Sequence, residues 1–524
     1  MLTIELNEQF KQALKIMESS SDNVFITGKA GTGKSTLLQY FRDHTKKQIV
    51  VLAPTGVAAV NIKGQTIHSF FGFKPDITLQ KVKMAYPGKI KIYKKLDAIV
   101  IDEISMVRAD LLDCVDKFLQ LNGPNKNQSF GGIQMIFIGD LYQLPPIVTS
   151  EEKNIFKNNY KSEYFFDAKV FYKEQKSLFH AKEFTMKFIE LEKIYRQKDE
   201  NFINLLNGIR NNSITQNELI DINKRYFPNY QEKVGDFYVY LTPTNKASQI
   251  INEQKLSELK TENFSYEGIT DGKFEDKYLP TEKILNFKKG AQIMLLNNDK
   301  RGRWVNGTIG KIIDIKKRGK KNFDLIKVKL ETGETVEVEP YTWEIFNFYL
   351  NERANRIESK TIGSFTQYPM KLAWSVTIHK SQGKTFNKVI IDIGRGTFCH
   401  GQMYVALSRC TTLNGIILKK EIAKKHIWMD FRVVKFVTQF QYQISEKNLS
   451  LDDKIKIIKQ AIVNKNKLNI TYLKSNDIKS KRAILPKKIG QMKYLEKSFL
   501  GIEAYCFERK ENRVFRVDRI LELC

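Results

Sequence analysis

The sequence predicts an α/β protein with a phosphate-binding loop at the end of its first strand. A short apolar run, VFIT at 24–27, is followed by GKAGTGKST at 28–36 and then by a helical pattern of apolar residues. Strand, glycine loop and helix in that order are the context of a Walker A loop. Three further Val/Ile-rich runs, at 48–54, 96–103 and 133–140, are nearly continuous. Such runs are typical of parallel strands that are buried on both faces.

The glycine loop predicts a site for a nucleoside triphosphate. Its glycines let backbone N–H groups turn towards phosphates, Lys34 is expected to reach the β- and γ-phosphates, and Ser35 offers a hydroxyl to Mg²⁺. A fortuitous glycine-rich turn is the alternative, and the flanking strand and helix argue against it. The expected nucleotide contacts are Gly28, Ala30, Gly31, Thr32, Gly33, Lys34, Ser35 and Thr36.

Two later strands end in residues that can act on that nucleotide. Asp102 and Glu103 end the run at 96–103, where one acid can hold Mg²⁺ and the other can orient the attacking water as a general base. Gln143 follows the next strand, in GDLYQLPP at 139–146, and its amide can bond the γ-phosphate and report its loss. Alone, two acids at a strand end or a proline-rich loop are ordinary surface features. The glycine loop upstream favours the nucleotide site.

Composition favours a polyanionic partner. The 524 residues carry a net charge of +28, which points to nucleic acid before a membrane surface, with a lysine-rich proteome as the alternative. Five cysteines are scattered without a CxxC pair, so neither a zinc site nor a disulfide framework is predicted, and a reducing compartment is favoured. No secretory signal and no long apolar run is visible, so we expect a soluble, cytoplasmic protein without a membrane partner.

Shifts in pattern along the chain mark candidate domains. Residues 72–95 are basic, hold two prolines and interrupt the strand–helix alternation, as an insertion does. Residues 280–345 alternate apolar and polar residues around turn signals and predict an all-β insertion, and 361–420 resume the α/β pattern. The polar stretch 443–453 predicts a linker. Residues 451–524 hold 18 Lys+Arg and 9 Asp+Glu, a net charge of +9 by subtraction.

Eleven motifs occur in a fixed order along the chain. They are GKAGTGKST (28–36), APTGVAA (53–59), GQTIHSFFGF (64–73), VIDEISMV (100–107), FGGIQMIFIGDLYQLPP (130–146), YRQ (195–197), LTPTNKA (241–247), KKGAQIMLLNND (288–299), RWVNGTIG (303–310), LAWSVTIHKSQGKTF (372–386) and GQMYVALSRC (401–410). In this order they resemble the Pif-one family of superfamily-one DNA helicases, over roughly residues 5–420. RecD-type helicases share several of them, and FGG together with YRQ favours the Pif-one type.

The resemblance implies a fold of two RecA-like P-loop domains with two insertions. The first domain is expected at 1–180 with a small wedge insertion at about 72–95, and the second at 181–257 and 361–440. An SH3-like β insertion is expected at 258–360.

The C-terminal segment 451–524 bears a weaker resemblance to the WYL domain, a small β-rich module of bacterial regulators. Leu500-Gly501-Ile502 stands where the name-giving Trp-Tyr-Leu would fall, so ligand sensing is not expected. A basic face favours binding of single-stranded nucleic acid, and a structural tail is the alternative. Its arginines are Arg482, Arg513, Arg516 and Arg519.

The resemblance also implies roles for individual residues. Gln9 matches the adenine-reading glutamine, Gly383 is a further expected nucleotide contact, and Arg196 and Arg409 match two arginines that the second domain aims at the γ-phosphate. A planar, permanently charged guanidinium suits developing phosphoryl charge. Expected DNA contacts lie at strand ends and in loops of both domains. They are Pro54, Thr55, Gly56, His68, Ser69, Phe70, Thr242, Asn245, His379 and Lys380.

The function that these expectations favour is an ATP-dependent DNA helicase. Lys34, Ser35 and Asp102 would hold ATP with Mg²⁺, Glu103 would activate water, and the chain would bind single-stranded DNA and junctions with duplex, move 5′ to 3′ and unwind. Replication, repair, recombination, telomere-type maintenance and G-quadruplex substrates all stay open, and the family favours a bacterial or phage source with nucleoid association. The alternatives are a RecD-type helicase or relaxase subunit, and a non-enzymatic nucleic-acid-binding regulator with a vestigial ATP site.

Overall fold

The computed structural model describes residues 6–149, 152–172, 185–233, 235–276, 279–318, 323–475, 477–494 and 497–524. The chain divides into two compact units. The first comprises Met1–Leu206 and Thr215–Trp428, and the second comprises Asn207–Ile214 and Met429–Cys524. None of the helices in the described ranges is long and apolar enough to cross a membrane.

A six-stranded parallel sheet begins the first unit. Its elements are α1 (Glu8–Ser19), β1 (Asn23–Gly28), α2 (Lys34–His44), β2 (Ile49–Ala53), α3 (Gly56–Asn61), β3 (Gln65–Thr66), α4 (Ile67–Phe71), α5 (Pro87–Lys95), β4 (Ala98–Ile101), α6 (Ala109–Asn122), β5 (Gln134–Gly139), α7 (Lys153–Asn159) and β6 (Met186–Leu191). The strand order is β3-β2-β4-β5-β1-β6, and the four predicted strands are its β2, β4, β5 and β1. Strand β6 pairs with β1 in parallel, so the sheet extends past the predicted domain border at residue 180.

Buried apolar side chains stabilise the strands of this sheet. All four residues of β4 and all six of β5 are buried, as their continuous Val/Ile-rich sequences predict. Helices α1 and α2 place Phe10, Leu37 and Phe41 against the same core. The spacing of these residues lets each helix bury one apolar stripe and leave its polar face to solvent.

The basic insertion at 72–95 is anchored at several points. Val82 is buried, the Ala85 N–H donates to Asn122 Oδ1 at 2.8 Å, and the Tyr93 hydroxyl donates to the Phe70 carbonyl at 3.0 Å. Helix α5 starts with Pro87 at a position where a missing N–H costs nothing. The segment is therefore held to the first sheet domain by buried side chains and by main-chain and side-chain hydrogen bonds.

The rest of the first unit contains a smaller parallel sheet and a β-rich insertion. The elements are α8 (Glu200–Arg210), α9 (Gln216–Asn223), β7 (Val239–Thr242), α10 (Asn245–Glu258), β8 (Asn263–Glu267), β9 (Ile269–Gly272), β10 (Ile284–Lys288), β11 (Gln292–Leu295), β12 (Ile309–Lys316), β13 (Leu325–Leu330), β14 (Thr335–Val338), β15 (Tyr341–Asn351), β16 (Arg356–Gln367), β17 (Met370–Leu372), β18 (Ser375–Thr377), β19 (Val389–Ile391), α11 (Gln402–Leu407) and β20 (Ile416–Leu418). Strands β18-β7-β19-β20 form the parallel sheet. The insertion has a five-stranded sheet, β14-β13-β12-β11-β17, and a three-stranded one, β15-β16-β9, and these strands run past the predicted end at residue 360.

The second unit is a five-stranded antiparallel sheet with two helices. Its elements are α12 (Phe431–Asn448), α13 (Leu451–Val463), β21 (Leu468–Leu473), β22 (Lys479–Tyr494), β23 (Lys497–Cys506), β24 (Glu511–Arg516) and β25 (Ile520–Leu523), in the strand order β24-β23-β22-β21-β25. The predicted linker at 443–453 is wrong, because α12 runs to Asn448 and Ser450 already caps α13. The C-terminal part of the unit begins at Met429, before the predicted end of the second RecA-like domain at residue 440.

A buried polar cluster ties three segments of the second unit together. Arg210 and Asp477 are 4% and 7% exposed, and their Nη1 and Oδ2 atoms lie 3.9 Å apart. Gln441 Nε2, on α12, donates to the other Asp477 oxygen at 3.0 Å. The short segment 207–214 is thereby held by residues more than two hundred positions away in sequence.

We expect Asp477→Asn to destabilise the second unit by about 3 kcal/mol, because it removes the negative charge beside the buried Arg210 guanidinium. Asparagine tolerates the left-handed conformation of Asp477 (φ 59°), so backbone strain does not enter. Thermal unfolding measures the loss, and amide exchange should quicken within 207–214 and α12. The control Glu511→Ala removes an exposed partner of Arg513 and should cost at most about 1 kcal/mol. Equal stability of the two variants would contradict the prediction.

Candidate functional site

The glycine loop has the backbone of a phosphate-binding loop. Gly31 (φ 83°) and Gly33 (φ 87°) are left-handed, which glycine adopts without strain. A methyl group on Gly31 would lie 2.6 Å from Arg196 Cβ, so no side chain fits there. Helix α2 begins directly after Gly33 and presents its first N–H groups to the loop.

Lys34 is held inside the loop by main-chain acceptors. Its Nζ donates to the carbonyls of Gly28 at 2.7 Å and Lys29 at 3.1 Å. Burial lowers the pKa of Lys34, while the carboxylates of Asp140 and Glu103 raise it. The predicted phosphate-binding amine is thus buried among acids.

Asp102 and Glu103 form the acidic side of the site. Burial raises the pKa of Asp102 to about 7, with a further increase from the neighbouring Glu103. Burial also raises the pKa of Glu103, while Lys34 and Arg409 lower it. Glu103 has left-handed backbone angles (φ 51°, ψ 43°), which cost a non-glycine residue about 1 kcal/mol or more. The chain accepts that strain where it aims a carboxylate into the cleft.

Gln143 and Asp140 complete the acidic side of the site, but the sequence analysis predicted only Gln143. Gln143 is buried and donates through Nε2 to Asp140 Oδ2 at 3.0 Å, so the predicted sensor amide lies in the cluster. Asp140 was missed by the sequence analysis. Its signal is an acid directly after β5, in the same strand-end position that Asp102 occupies after β4.

Arg409 and Arg196 supply the positive side. Arg409 is 1% exposed, and its guanidinium donates to the carbonyl of Val405 at 2.9 Å and the hydroxyl of Ser408 at 3.1 Å. Burial lowers its pKa to about 9, as does Arg196, whereas Glu103 raises it. Arg196 Nη1 donates to the Ser408 carbonyl at 3.1 Å, so the two arginines meet at one residue.

The two arginines reach the cleft from different places. Arg409 follows α11, a helix that belongs with the smaller sheet, as predicted. Arg196 follows β6, the edge strand of the first sheet, five residues after its last residue, Leu191. The expectation that both arginines come from the second domain therefore holds for Arg409 alone, because β6 pairs with β1.

Two residues that the sequence analysis missed join the sheets at the cleft. Tyr404, on α11, accepts the N–H of Ala30 in the glycine loop at 2.9 Å through its hydroxyl. Gln382 Nε2 donates to Glu103 Oε2 at 3.1 Å and precedes Gly383, a predicted nucleotide contact in the left-handed region (φ 77°). Tyr404 and Gln382 lie inside motifs that the sequence analysis identified. The sequence does not indicate which side chains of those motifs point towards the first sheet.

Gln9 lies on α1 beside the end of β6. Its Oε1 accepts the Glu192 N–H at 2.9 Å, and its Nε2 donates to the Glu192 carboxylate at 3.2 Å. The amide is therefore oriented by Glu192, and the adenine-reading role stays a prediction.

The predicted nucleic-acid residues mark the ends of parallel strands. Thr55 follows β2 and caps α3 by accepting the Ala58 N–H, with Pro54 and Gly56 beside it. Asn245 begins α10 after β7, and His379 and Lys380 follow β18. His68 and Ser69 lie in α4, which follows β3. Ligands of open α/β sheets bind at such carboxyl ends, so this placement agrees with a shared binding surface.

Two of the predicted DNA contacts do not fit the structure. The Phe70 ring is 5% exposed and packs edge-on against Tyr93 and Phe348, so it is not available to stack on a base. Thr242 is fully buried, and its hydroxyl donates to the Thr244 carbonyl at 3.3 Å. Burial removes the side chains of both from direct contact.

The second unit carries a basic cleft of about 570 Å³ between β21, β22 and β24. Arg482 and Arg513 line it, as the predicted basic face requires, and Lys474 joins them. Burial lowers the pKa of Lys474, and the charges of Arg482, Arg509 and Arg513 lower it further. Arg516 instead pairs with Asp518 at 2.6 Å.

A glycine loop and two acids on one parallel sheet, faced by an arginine from a second, define a P-loop motor of the RecA type. Residues 1–219 match the PIF1-like helicase family, and residues 453–524 match the WYL domain. The ATP-dependent DNA helicase Pif1 of Campylobacter jejuni is 32% identical over 420 residues, covering 75% of this chain and 88% of the relative. Its counterpart in Bdellovibrio bacteriovorus is 30% identical over 450 residues, covering 84% of this chain and 93% of the relative.

Solved structures agree with these sequence matches. The crystal structure of Bacteroides sp Pif1 in complex with ADP-AlF4 has a TM-score of 0.74 at 35% identity, covering 84% of this chain and 98% of that one. The Candida albicans Pif1 helicase has a TM-score of 0.63 at 30% identity, covering 83% of this chain and all of that one. The chain belongs to the PIF1-like family of ATP-dependent DNA helicases and carries a WYL domain at its C-terminal end.

We expect Gln382→Ala to lower kcat for ATP hydrolysis about tenfold with little change in KM, because Glu103 loses the donor that orients it. Gln382→Glu should lower activity at pH 7 and recover as the pH rises, since a second carboxylate raises the pKa of Glu103. Phosphate release measures both variants. The control Gln249→Ala removes a glutamine that bonds Glu253 on the surface of α10 and should leave kcat unchanged. A change in KM alone would contradict the orienting role.

Proposed function

We propose that this chain uses ATP with Mg²⁺ to move along single-stranded DNA in the 5′ to 3′ direction and to open duplex at a junction. The observation that carries the proposal is the cluster of half-buried Lys34 and Glu103 with buried Asp102, which faces the buried Arg409 across the cleft. A nucleic-acid-binding regulator with a vestigial ATP site has no chemical use for such a cluster, and holding these charges out of water costs free energy.

Each charged residue has a role that its surroundings support. Lys34 binds the β- and γ-phosphates from inside the loop, and Arg409 and Arg196 stabilise the charge that develops on the transferred phosphoryl group. Glu103, held by Gln382, takes a proton from the attacking water. Gln143 bonds the γ-phosphate and relays its loss through Asp140.

The residues present also fit a magnesium ion. The Ser35 hydroxyl and the Asp102 carboxylate are oxygen ligands of the kind that Mg²⁺ takes together with nucleotide phosphates. When bound, the ion neutralises charge on the phosphates. A divalent cation beside Asp102 would favour the ionised form of this carboxyl, whose pKa burial raises to about 7.

We expect Lys34→Ala to lower ATP hydrolysis and unwinding by about a hundredfold or more, because the phosphates lose their buried cation. Binding of single-stranded DNA should persist, since the predicted DNA contacts lie elsewhere. Phosphate release measures ATP hydrolysis, a duplex-unwinding assay measures unwinding, and oligonucleotide anisotropy measures binding of single-stranded DNA. The control Lys46→Ala alters an exposed lysine of the same domain and should change none of them. Normal unwinding by Lys34→Ala would overturn the proposal.

Direction rests on the family and needs its own experiment. The Bacteroides Pif1 has been solved bound to single-stranded DNA, at 35% identity to this chain, which supports a single strand as the track. Duplexes that carry either a 5′ or a 3′ single-stranded tail separate the two directions. Preferential opening of the 5′-tailed duplex is expected, and preference for the 3′ tail would contradict the proposed direction.

The basic insertion is suited to the duplex junction. Tyr86 is 85% exposed and Met84 63%, although the chain on either side is fixed by Val82 and by the bond from Ala85 to Asn122. Rigid, exposed apolar side chains act as wedges against base pairs in other nucleic-acid-binding proteins. Lysines flank them in the sequence, at Lys81, Lys83, Lys89, Lys91, Lys94 and Lys95.

We expect Tyr86→Ala to lower the rate of duplex unwinding about fivefold and to lower ATP hydrolysis on single-stranded DNA much less, because the track is kept and the wedge is lost. Tyr86→Trp should restore unwinding. The control Tyr172→Ala truncates a tyrosine that is 54% exposed outside the insertion and should leave the ratio of the two rates unchanged. Equal losses in both rates would contradict the wedge role.

The second unit supplies a further surface for the same polymer. Its cleft gathers Lys474, Arg482 and Arg513 with the aromatic rings of Tyr472 and Phe515. Cations beside aromatic rings suit single-stranded nucleic acid, so we assign this cleft an accessory binding role.

A further inference from the structure

The chain that leaves helix α11 is bound through three consecutive carbonyls. The Arg409 carbonyl accepts the N–H of Phe386 at 2.9 Å. On either side of it, the carbonyls of Ser408 and Cys410 accept hydrogen bonds from one side chain, the amide of Gln197. A helix leaves its last carbonyls without partners inside the helix, so outside donors of this kind determine the path of the chain beyond it. Gln197 thus fixes the main chain before and after Arg409.

Both hydrogens of the Gln197 amide are used in this contact. Its Nε2 donates to the Cys410 carbonyl at 2.9 Å and to the Ser408 carbonyl at 3.2 Å, and the residue is 3% exposed. A primary amide has two N–H donors, which matches the two acceptors. Because the contact is buried, bulk water does not compensate for a lost amide there.

Gln197 belongs to the first sheet, whereas Arg409 belongs with the second. Gln197 follows β6, which pairs in parallel with β1. Two residues before it, the Tyr195 N–H donates to the Gly31 carbonyl at 2.8 Å, so this segment is tied to the glycine loop itself. The amide therefore fixes the main chain of Arg409 relative to the loop that it faces across the cleft.

The charges in the cleft favour such an anchor. Arg196 is close to Arg409 and adds to the lowering of the Arg409 pKa that burial causes. Like charges repel, so the main chain has to hold the two guanidinium groups together. A neutral amide holds it without adding charge to a cleft that receives a triphosphate, whereas a carboxylate has no donor for a carbonyl.

We propose that Gln197 is a positioning residue for ATP hydrolysis, which holds the main chain on both sides of Arg409 and thereby places the guanidinium for the γ-phosphate. The inference deepens the proposed function and rests on the role given there to Arg409. Placement of this kind decides the rate, because a displacement of about 1 Å can slow a reaction about a hundredfold.

The first test is Gln197→Met in the full-length protein, which keeps the length of the side chain and removes both donors. We expect kcat for ATP hydrolysis to fall about tenfold, while KM for ATP and the affinity for ADP change less than about twofold, because the glycine loop is kept. Gln197→Glu keeps the shape but has no amide NH₂ group, and it should lower kcat as well. The control Gln254→Met alters an exposed glutamine that bonds Glu258 on α10 and should leave kcat unchanged.

The second test is a double-mutant cycle with Arg409→Ala, measured as phosphate release in single turnovers. If Gln197 acts through Arg409, Gln197→Met should slow the Arg409→Ala variant by less than about twofold, because the group that it places is already gone. A role limited to stabilising the fold, or to placing Arg196, would slow both backgrounds by the same factor.

The outcomes separate the inference from the proposed function. Normal kcat in both Gln197 variants, or losses that multiply in the double variant, would overturn the positioning role. Either result, together with a strong loss of kcat in Arg409→Ala, refutes the role of Gln197 alone. Normal kcat in Arg409→Ala itself refutes the role that the proposed function gives to that arginine.

Discussion

The structure of the first unit depends on the burial of opposite charges between two sheets. Lys34, Asp102 and Glu103 come from the first sheet and Arg409 comes from the second. Burial lowers the pKa of Lys34 and Arg409 and raises the pKa of Asp102 and Glu103. Isolated buried charges are costly, so each is supported by polar groups of the chain. Main-chain carbonyls accept hydrogen bonds from Lys34 and Arg409, and the Gln382 amide donates one to Glu103. The two sheets must therefore face each other at the glycine loop.

That constraint suits the proposed coupling of nucleotide chemistry to DNA binding. Tyr404 and Gln382 bond the first sheet from the second, and each is close in sequence to a group with a different task. Tyr404 lies on α11, and Arg409 follows the end of the same helix. Gln382 follows His379 and Lys380 by a few residues. In the proposed mechanism, loss of the γ-phosphate would shift Glu103 or Gln143, and the shift would pass along one short segment to the strand ends proposed to bind DNA. That coupling would need no long path, because both proposed sites use the same ends of the same strands.

The sequence predicted what local pattern determines and missed what depends on distant packing. The glycine loop and the strands β1, β2, β4 and β5 follow from residues that are adjacent in sequence. The burial of Phe70 depends on Phe348, nearly three hundred residues later, and so has no local signal. The interruption between α12 and α13 is only two residues long, although the stretch 443–453 that was predicted to be a linker is eleven residues long. The inclusion of 207–214 in the second unit depends on Asp477 and is equally invisible.

The most direct test of the central claim is the affinity for ADP with aluminium fluoride, compared with ADP alone, in the wild type and in Arg409→Ala. The complex imitates the transferred phosphoryl group, and transition-state analogues bind an active site about a hundredfold or more tightly than ground-state ligands. The wild type should show that preference, and Arg409→Ala should lose most of it while keeping its affinity for ADP. An Arg409→Ala variant that prefers the analogue as strongly as the wild type would contradict a site completed from the second sheet.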